Sequence, residues 1–270
     1  MKRSLLLLLL SAVVAMLLAT LVSGMPSPAG VHPIVWASGG VLLGGSIDGK
    51  WVDDKAMSRL VKGGERYHLY TLTGKLGEAA GGKPEFEEQS RTFYVHVKPE
   101  PRPESDVIGV CGDWEALPRK PKIMATKQKV YQDAVRSLLT QKGLASAPVN
   151  ITQILRVDLE GDGVEEVLVS ATHPRSDYLS FSNEKNDYSF VMLRKIVKGK
   201  VETIVLEGEF YPKKGETTPN RHLVCGVLDL NGDGKLEVLV RWQYYEGRGV
   251  DVYTVQGKTK ELVLSGGYGA

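Results

Sequence analysis

Twelve residues occur twice in this chain. DLEGDGVEEVLV (158–169) and DLNGDGKLEVLV (229–240) agree at nine of twelve positions, at an offset of 71. A repeat of this length marks a repeated structural unit. Each copy is entered by an apolar run, Ile154-Leu155-Arg156-Val157 or Val224-Cys225-Gly226-Val227-Leu228. Each is left by another, Val167-Leu168-Val169 or Val238-Leu239-Val240. Short runs of Val, Ile and Leu on both sides of a glycine-containing turn read as two strands of a hairpin. The same reading continues to the C-terminus and gives two sets of four strands. The first set covers 154–158, 166–171, 189–196 and 201–208; the second covers 222–229, 236–245, 250–255 and 261–264.

The loops carry the chemistry. Calcium takes about six to eight hard oxygen ligands on a flexible loop. The first loop offers Asp158, Glu160, Asp162 and Glu166 at positions 1, 3, 5 and 9, and the second Asp229, Asn231, Asp233 and Glu237. Position 7 donates a backbone carbonyl, from Val164 or Lys235. Gly163 and Gly234 at position 6 permit the sharp turn that gathers these oxygens. Without a cation, the carboxylates of one loop repel one another. Asn231 suits the short third ligand better than Glu160, whose side chain is one methylene longer than Asp; the first loop, with four carboxylates against three, has the stronger charge. The competing reading is an ordinary Asp/Asn-Gly hairpin turn without metal.

An EF-hand needs an acid at position 12 and flanking helices. Position 12 here is Val169 or Val240, and strands flank both loops. The doubled motif instead resembles the FG-GAP and VCBS repeats, calcium loops of integrin-α-like propeller blades and of many exported bacterial proteins. The resemblance covers the two loops and, more loosely, the two four-strand sets. It implies calcium at the ligands just named. Two blades cannot close a propeller ring, so stacked sheets are expected instead.

The rest of the chain sets the context. Lys2 and Arg3 precede Leu5–Val22, 18 residues without a charge, and Val22-Ser23-Gly24 offers a cleavage site. Residues 1–24 therefore read as a secretory signal peptide or, uncleaved, as an N-terminal anchor whose residues 5–22 meet the membrane. Either places the chain outside the cytoplasm, secreted or anchored at the outer face of the cytoplasmic membrane. Of 34 basic residues two lie in this segment, which has no acid, so the remainder balances 32 against 32. A neutral domain lacks the footprint of a nucleic-acid binder.

Residues 31–120 read as an N-terminal α+β unit. Strands lie within 33–52, 67–72, 92–97 and 107–111, and a helix capped by Asp53 runs through Ala56, Met57, Leu60 and Val61 to Gly63-Gly64. Prolines 118 and 121 mark a boundary. A helix capped by Thr126 then carries Val130, Tyr131, Ala134, Val135, Leu138 and Leu139 as one apolar stripe ending at Gly143. It leads a β unit over 124–270. The fold class is thus mainly β, α+β overall, and not a closed propeller.

Cys111 and Cys225 sit in strand-like runs and read as buried thiols, although an export compartment permits pairing. His32, His68, His96, His173 and His222 show no zinc spacing. Neither a nucleophile elbow nor a P-loop occurs. Trp242 and Tyr244 share one face of a strand, either as core or as a surface for a sugar or a protein. The expected function is an exported, calcium-binding, non-catalytic module for an envelope or extracellular ligand, protein or carbohydrate. The alternative is an exported hydrolase with structural calcium.

Overall fold

The computed structural model describes residues 30–102, 105–173 and 181–269. The proposed signal or anchor, residues 1–24, lies outside the described residues, and among these no helix is long and apolar enough to cross a membrane.

Three antiparallel sheets are stacked. The first contains β1 (Val31–Trp36), β2 (Val41–Ile47), β3 (Lys50–Val52), β4 (Arg66–Thr71) and β5 (Gly74–Gly81). It is completed by β6 (Glu85–Glu87), β7 (Thr92–Tyr94), β8 (Val97–Lys98) and β9 (Ile108–Val110). Its order is β6-β7-β2-β1-β9-β4-β5-β8, with β3 paired to β2, and it curls into half a barrel without closing. The second sheet orders β10 (Lys122–Ile123), β11 (Ile151–Val157), β12 (Glu166–His173), β13 (Asp187–Val197) and β14 (Lys200–Tyr211) in sequence. The third is a four-stranded meander of β15 (Arg221–Leu228), β16 (Glu237–Gln243), β17 (Arg248–Gln256) and β18 (Thr259–Tyr268).

Side-chain alternation builds the stack, because successive residues of a strand face opposite sides. In the third sheet Val224, Val227, Val238, Val240 and Tyr253 pack on Leu155, Val157, Leu168, Val191 and Leu193 of the second. Its other face, with Cys225, Leu228, Leu239, Val250 and Val252, packs on Ile34, Trp36, Val41, Leu43 and Ile108 of the first. The third sheet is therefore the middle layer, buried on both sides. That is why its strands read as near-continuous apolar runs.

A helix covers each end of the stack. Helix α1 (Asp54–Ser58) places Met57 against Val35, Leu42 and Tyr67 on the outer face of the first sheet. Helix α2 (Lys129–Gln141) places Val135 and Leu139 against Ile154, Val169, Phe190 and Met192 on the outer face of the second. Asp53 caps α1 as expected, accepting from the Ala56 amide at 2.7 Å. Thr126 does not cap α2; the helix begins two residues later than that cap requires, behind Gln128, whose Nε2 donates to the Ala125 carbonyl at 2.9 Å. Val130, at the first turn, is 57% exposed and falls outside the stripe.

Cys111 and Cys225 are buried thiols in different cores, Cys111 on the α1 side of the first sheet and Cys225 on its inner side. The first and third sheets are further joined by an Arg241–Asp106 ion pair at 2.8 Å and by the Thr92 hydroxyl donating to the Gly267 carbonyl at 2.6 Å.

Candidate metal loops

Both acidic loops are first hairpins of their sheets, β11 to β12 and β15 to β16, and they share one hydrogen-bond plan. The position-1 carboxylate gathers the turn. Asp158 accepts from the amides of Gly161 at 2.7 Å, Asp162 at 3.2 Å and Gly163 at 2.9 Å. Asp229 accepts from Gly232 at 2.8 Å and Gly234 at 3.0 Å. The position-5 carboxylates turn back on the chain: Asp162 Oδ1 accepts from the Val164 amide at 2.9 Å, Asp233 Oδ1 from the Lys235 amide at 2.8 Å. Asn231 Oδ1 accepts from the Asp233 amide at 3.1 Å.

The position-9 glutamates close the plan from inside. Glu166 Oε2 accepts from the Leu159 amide and Glu237 Oε2 from the Leu230 amide, each at 2.9 Å. Both glutamates are 2% exposed. They are drawn inward because the position-2 leucines, Leu159 and Leu230, are core residues at 4% and 0% exposure. The hydrogen-bonded turn glycines adopt left-handed conformations, φ +85° at Gly163 and +84° at Gly234, which suit glycine alone at low cost.

The two loops differ in their electrostatics. Glu160 leaves its loop and pairs with Lys195 Nζ at 2.9 Å; the lysine side chain is 3% exposed. Among the described residues, no ion pair within 4.0 Å reaches Asp229, Asp233 or Glu237. Burial pushes Glu237 up to about 8, reinforced by the charges of Asp233 and Asp229. Burial also raises Asp229, against the amides of Gly234 and Gly232. Burial raises Glu166 too, but there the Lys195 charge opposes it. At Asp158 burial is outweighed by the Gly163, Gly161 and Asp162 amides and the Arg119 charge, which hold it below its usual value.

The predicted ligands thus lie in two matching loops, with Val164 and Lys235 exposed at the tips. As they stand, no three Asp, Glu, His or Cys side chains among the described residues converge as a metal centre. The position-5 carboxylates face the amides of Val164 and Lys235, and Glu160 faces Lys195.

The segment between the first two sheets supplies residues the repeat does not announce. Arg119 Nε donates to the Asp158 carbonyl at 2.7 Å, and its Nη2 to the carbonyls of Gly234 at 2.7 Å and Leu159 at 3.4 Å. Trp114 Nε1 donates to the Asp229 carbonyl at 2.8 Å, and the Asp229 amide donates to the Ala116 carbonyl at 2.8 Å. The Leu236 amide donates to the Leu159 carbonyl at 2.8 Å. A second polar cluster sits between the second and third sheets. His222 Nε2 lies 3.4 Å from Glu207 Oε1, and Ser265 Oγ donates to Asp251 Oδ1 at 2.6 Å. Burial, with the neighbouring Glu207, raises Asp251 to about 6. No spacing signal marks these groups, because they come from different strands.

Trp242 and Tyr244 lie parallel, centroids 6.1 Å apart and planes 17° apart. A Cβ at Gly249 or Gly267 would strike Trp242, and one at Gly247 or Gly269 would strike Tyr244, so both rings rest on a glycine strip. Both are half-buried.

Comparison of the chain with protein-family models, with curated proteins and with solved structures finds no match.

Proposed function

We propose that this chain is an exported, non-catalytic β module that binds calcium at the β15–β16 loop and presents its outer surface to an envelope or extracellular partner. The observation that carries the reading is Glu237, buried at 2% exposure beside Asp229 and Asp233. Among the described residues, no ion pair within 4.0 Å compensates the three carboxylates. The donors fit a hard divalent cation: Asp229, Asn231, Asp233 and Glu237 side chains and the Lys235 carbonyl are all oxygen ligands. A bound calcium ion would supply positive charge among these carboxylates, whereas the loop's own cation, Lys235, is exposed at its tip. Asp229 organises the turn through its amide contacts, and Leu230 fixes Glu237 against the core. Placement of the loop between the first two strands of a four-stranded antiparallel sheet supports the FG-GAP/VCBS resemblance. Export rests on residues 1–24, and the parallel Trp242–Tyr244 pair supports a partner with flat apolar faces, such as a carbohydrate.

Calorimetric titration of the chelator-treated chain with calcium tests the reading. Heat of binding that disappears in Asp229→Asn is expected; extracellular sites fall at a Kd on the order of 10⁻⁴–10⁻³ M. No heat, together with identical melting curves in calcium and in chelator, overturns it.

The Glu207–Asp251 pair beside His222 favours a second reading, an exported hydrolase with structural calcium. Hydrolytic activity abolished by Asp251→Asn in a folded variant would establish that alternative.

A further inference from the structure

We infer that Lys195 is a built-in counter-cation for the β11–β12 loop, so that the chain takes one calcium ion, at the β15–β16 loop, and not two. This rests on the calcium reading above and sharpens it.

Three observations carry it. The third residue of the first loop, Glu160, does not turn into the loop; its Oε2 meets Lys195 Nζ at 2.9 Å. The lysine reaches that point from β13 with its side chain 3% exposed, so its charge is satisfied from within the protein. The corresponding residue of the second loop is the uncharged Asn231, whose Oδ1 accepts from an amide of its own loop at 3.1 Å. Between the loops lies a cavity of about 160 Å³ whose lining includes Glu160, Lys195, Asp233 and Glu237. The two loops therefore open on a common space: on one side the buried Lys195 ammonium is paired with Glu160, and on the other Asp233 and Glu237 line it together with the exposed Lys235.

The physics follows from that asymmetry. Recruiting Glu160 as a calcium ligand would strip a buried ammonium of its partner, and removing one member of a buried pair is costly. A divalent ion in the first loop would also lie close to the lysine charge and be repelled by it. Together these weaken the first loop by about a hundredfold or more relative to the second. The longer Glu side chain has a role in this scheme: it is the length that lets position 3 reach out of the loop to β13.

The test is calcium stoichiometry by calorimetry on the full folded chain, with melting in chelator as a second readout. The wild type is expected to bind one equivalent, lost in Asp229→Asn. Lys195→Met keeps an unbranched apolar stem and removes the ammonium; it should gain a second equivalent that Lys195→Met/Asp158→Asn loses again. In chelator Lys195→Met should melt below the wild type and recover more on adding calcium. Lys195→Met/Glu160→Asn removes both charges together and reproduces the position-3 residue of the second loop; it should also bind two. Two equivalents in the wild type overturn the role of Lys195 and leave the calcium reading standing. So does one equivalent that persists unchanged in both Lys195 variants. No binding by the wild type overturns both. If neither Lys195 variant folds, the wild-type stoichiometry and its loss in Asp229→Asn decide alone.

Discussion

Leu236 and Leu159 join the two acidic hairpins directly, amide to carbonyl over 2.8 Å. Each leucine flanks or lies in a loop and each is buried at 4% exposure in the core between the second and third sheets. The hairpins are therefore one unit, seated on one core, and Arg119 is the side chain that spans them.

Arg119→Ala should lower stability by about 2–3 kcal/mol, since hydrogen bonds from a charged donor contribute about 1.5–3 kcal/mol and three carbonyls lose theirs. The carbonyls lie near the surface, where water replaces part of the loss. Arg119→Lys should recover less than half, because an ammonium cannot reproduce the guanidinium fork that reaches Asp158 and Gly234 together. Urea denaturation of the three proteins checks this; full recovery by lysine would show that charge alone matters here.

Two glycines of the second loop should respond differently to alanine. Gly232 and Gly234 have φ of +78° and +84°, so each variant incurs the left-handed cost of about 1–2 kcal/mol. A Cβ at Gly234 meets nothing within 4 Å, whereas one at Gly232 lies 3.2 Å from Trp114 Cδ2. That indole cannot step aside freely. Its Nε1 is bonded to the Asp229 carbonyl and its ring meets His32 edge-on at 4.8 Å. Gly232→Ala should therefore exceed Gly234→Ala by about 1 kcal/mol or more. Equal melting temperatures would mean that Trp114 yields.

The buried Asp251 at the seam gives the fold a pH dependence. Asp251, 8% exposed, has its pKa raised from 3.8 to about 6. The groups facing it are Glu207 from β14, Ser265 from β18, and Trp242 and Tyr253 from β16 and β17; His222 of β15 and Lys260 of β18 face Glu207. The folded state holds this proton more tightly than the unfolded chain does. Its stabilising contribution is therefore complete below about pH 4 and is lost as pH rises through 6, by up to about 3 kcal/mol. Asp251→Asn mimics the protonated form, still accepting from Ser265. The stability difference, variant minus wild type, should climb between pH 4 and 6.5 and favour the variant at pH 7.5. Denaturation curves across pH 4–8 measure it, and a flat difference contradicts the assignment.

Sequence legibility followed the range of the interactions. Eight of the nine strands of the second and third sheets were readable, because Val, Ile and Leu runs and two hairpin loops are local signals; the ninth, β10, is two residues held only by pairing with β11. The outer limits were not: β14 continues to Tyr211 and β18 to Tyr268, held by pairing with β13 and β17. Strand β5, GKLGEAAG, carries no β-branched residue and went unseen. It is a strand because it pairs along β4, and because Gly81 leaves room for the buried Tyr67 ring, where a Cβ would come within 2.5 Å. The matching of the two loops was visible in the repeat. Their inequality was not, since Lys195 stands 35 positions from Glu160 in the chain and meets it only through the pairing of β12 with β13. Trp114 and Arg119 lie in a proline-marked connection whose contacts with the loops have no periodic trace.

Glu237→Gln should change sign with calcium. In chelator the wild type buries an uncompensated carboxyl at 2% exposure, against the charges of Asp229 and Asp233. Glutamine has the same shape, and its amide oxygen can accept the Leu230 N–H that now reaches Glu237 Oε2 at 2.9 Å. It carries no charge to desolvate, so the calcium-free variant should be more stable, by about 1–3 kcal/mol. In calcium the order should reverse. The variant loses a full ligand charge and with it the stabilisation a bound cation confers, about 2.7 kcal/mol at a hundred times Kd. Melting both proteins in chelator and in saturating calcium gives four temperatures and one crossing. A variant less stable in both buffers would mean that Glu237 contributes through its packing and amide contact rather than as a cation ligand. A variant more stable in both would mean that calcium does not reach this loop.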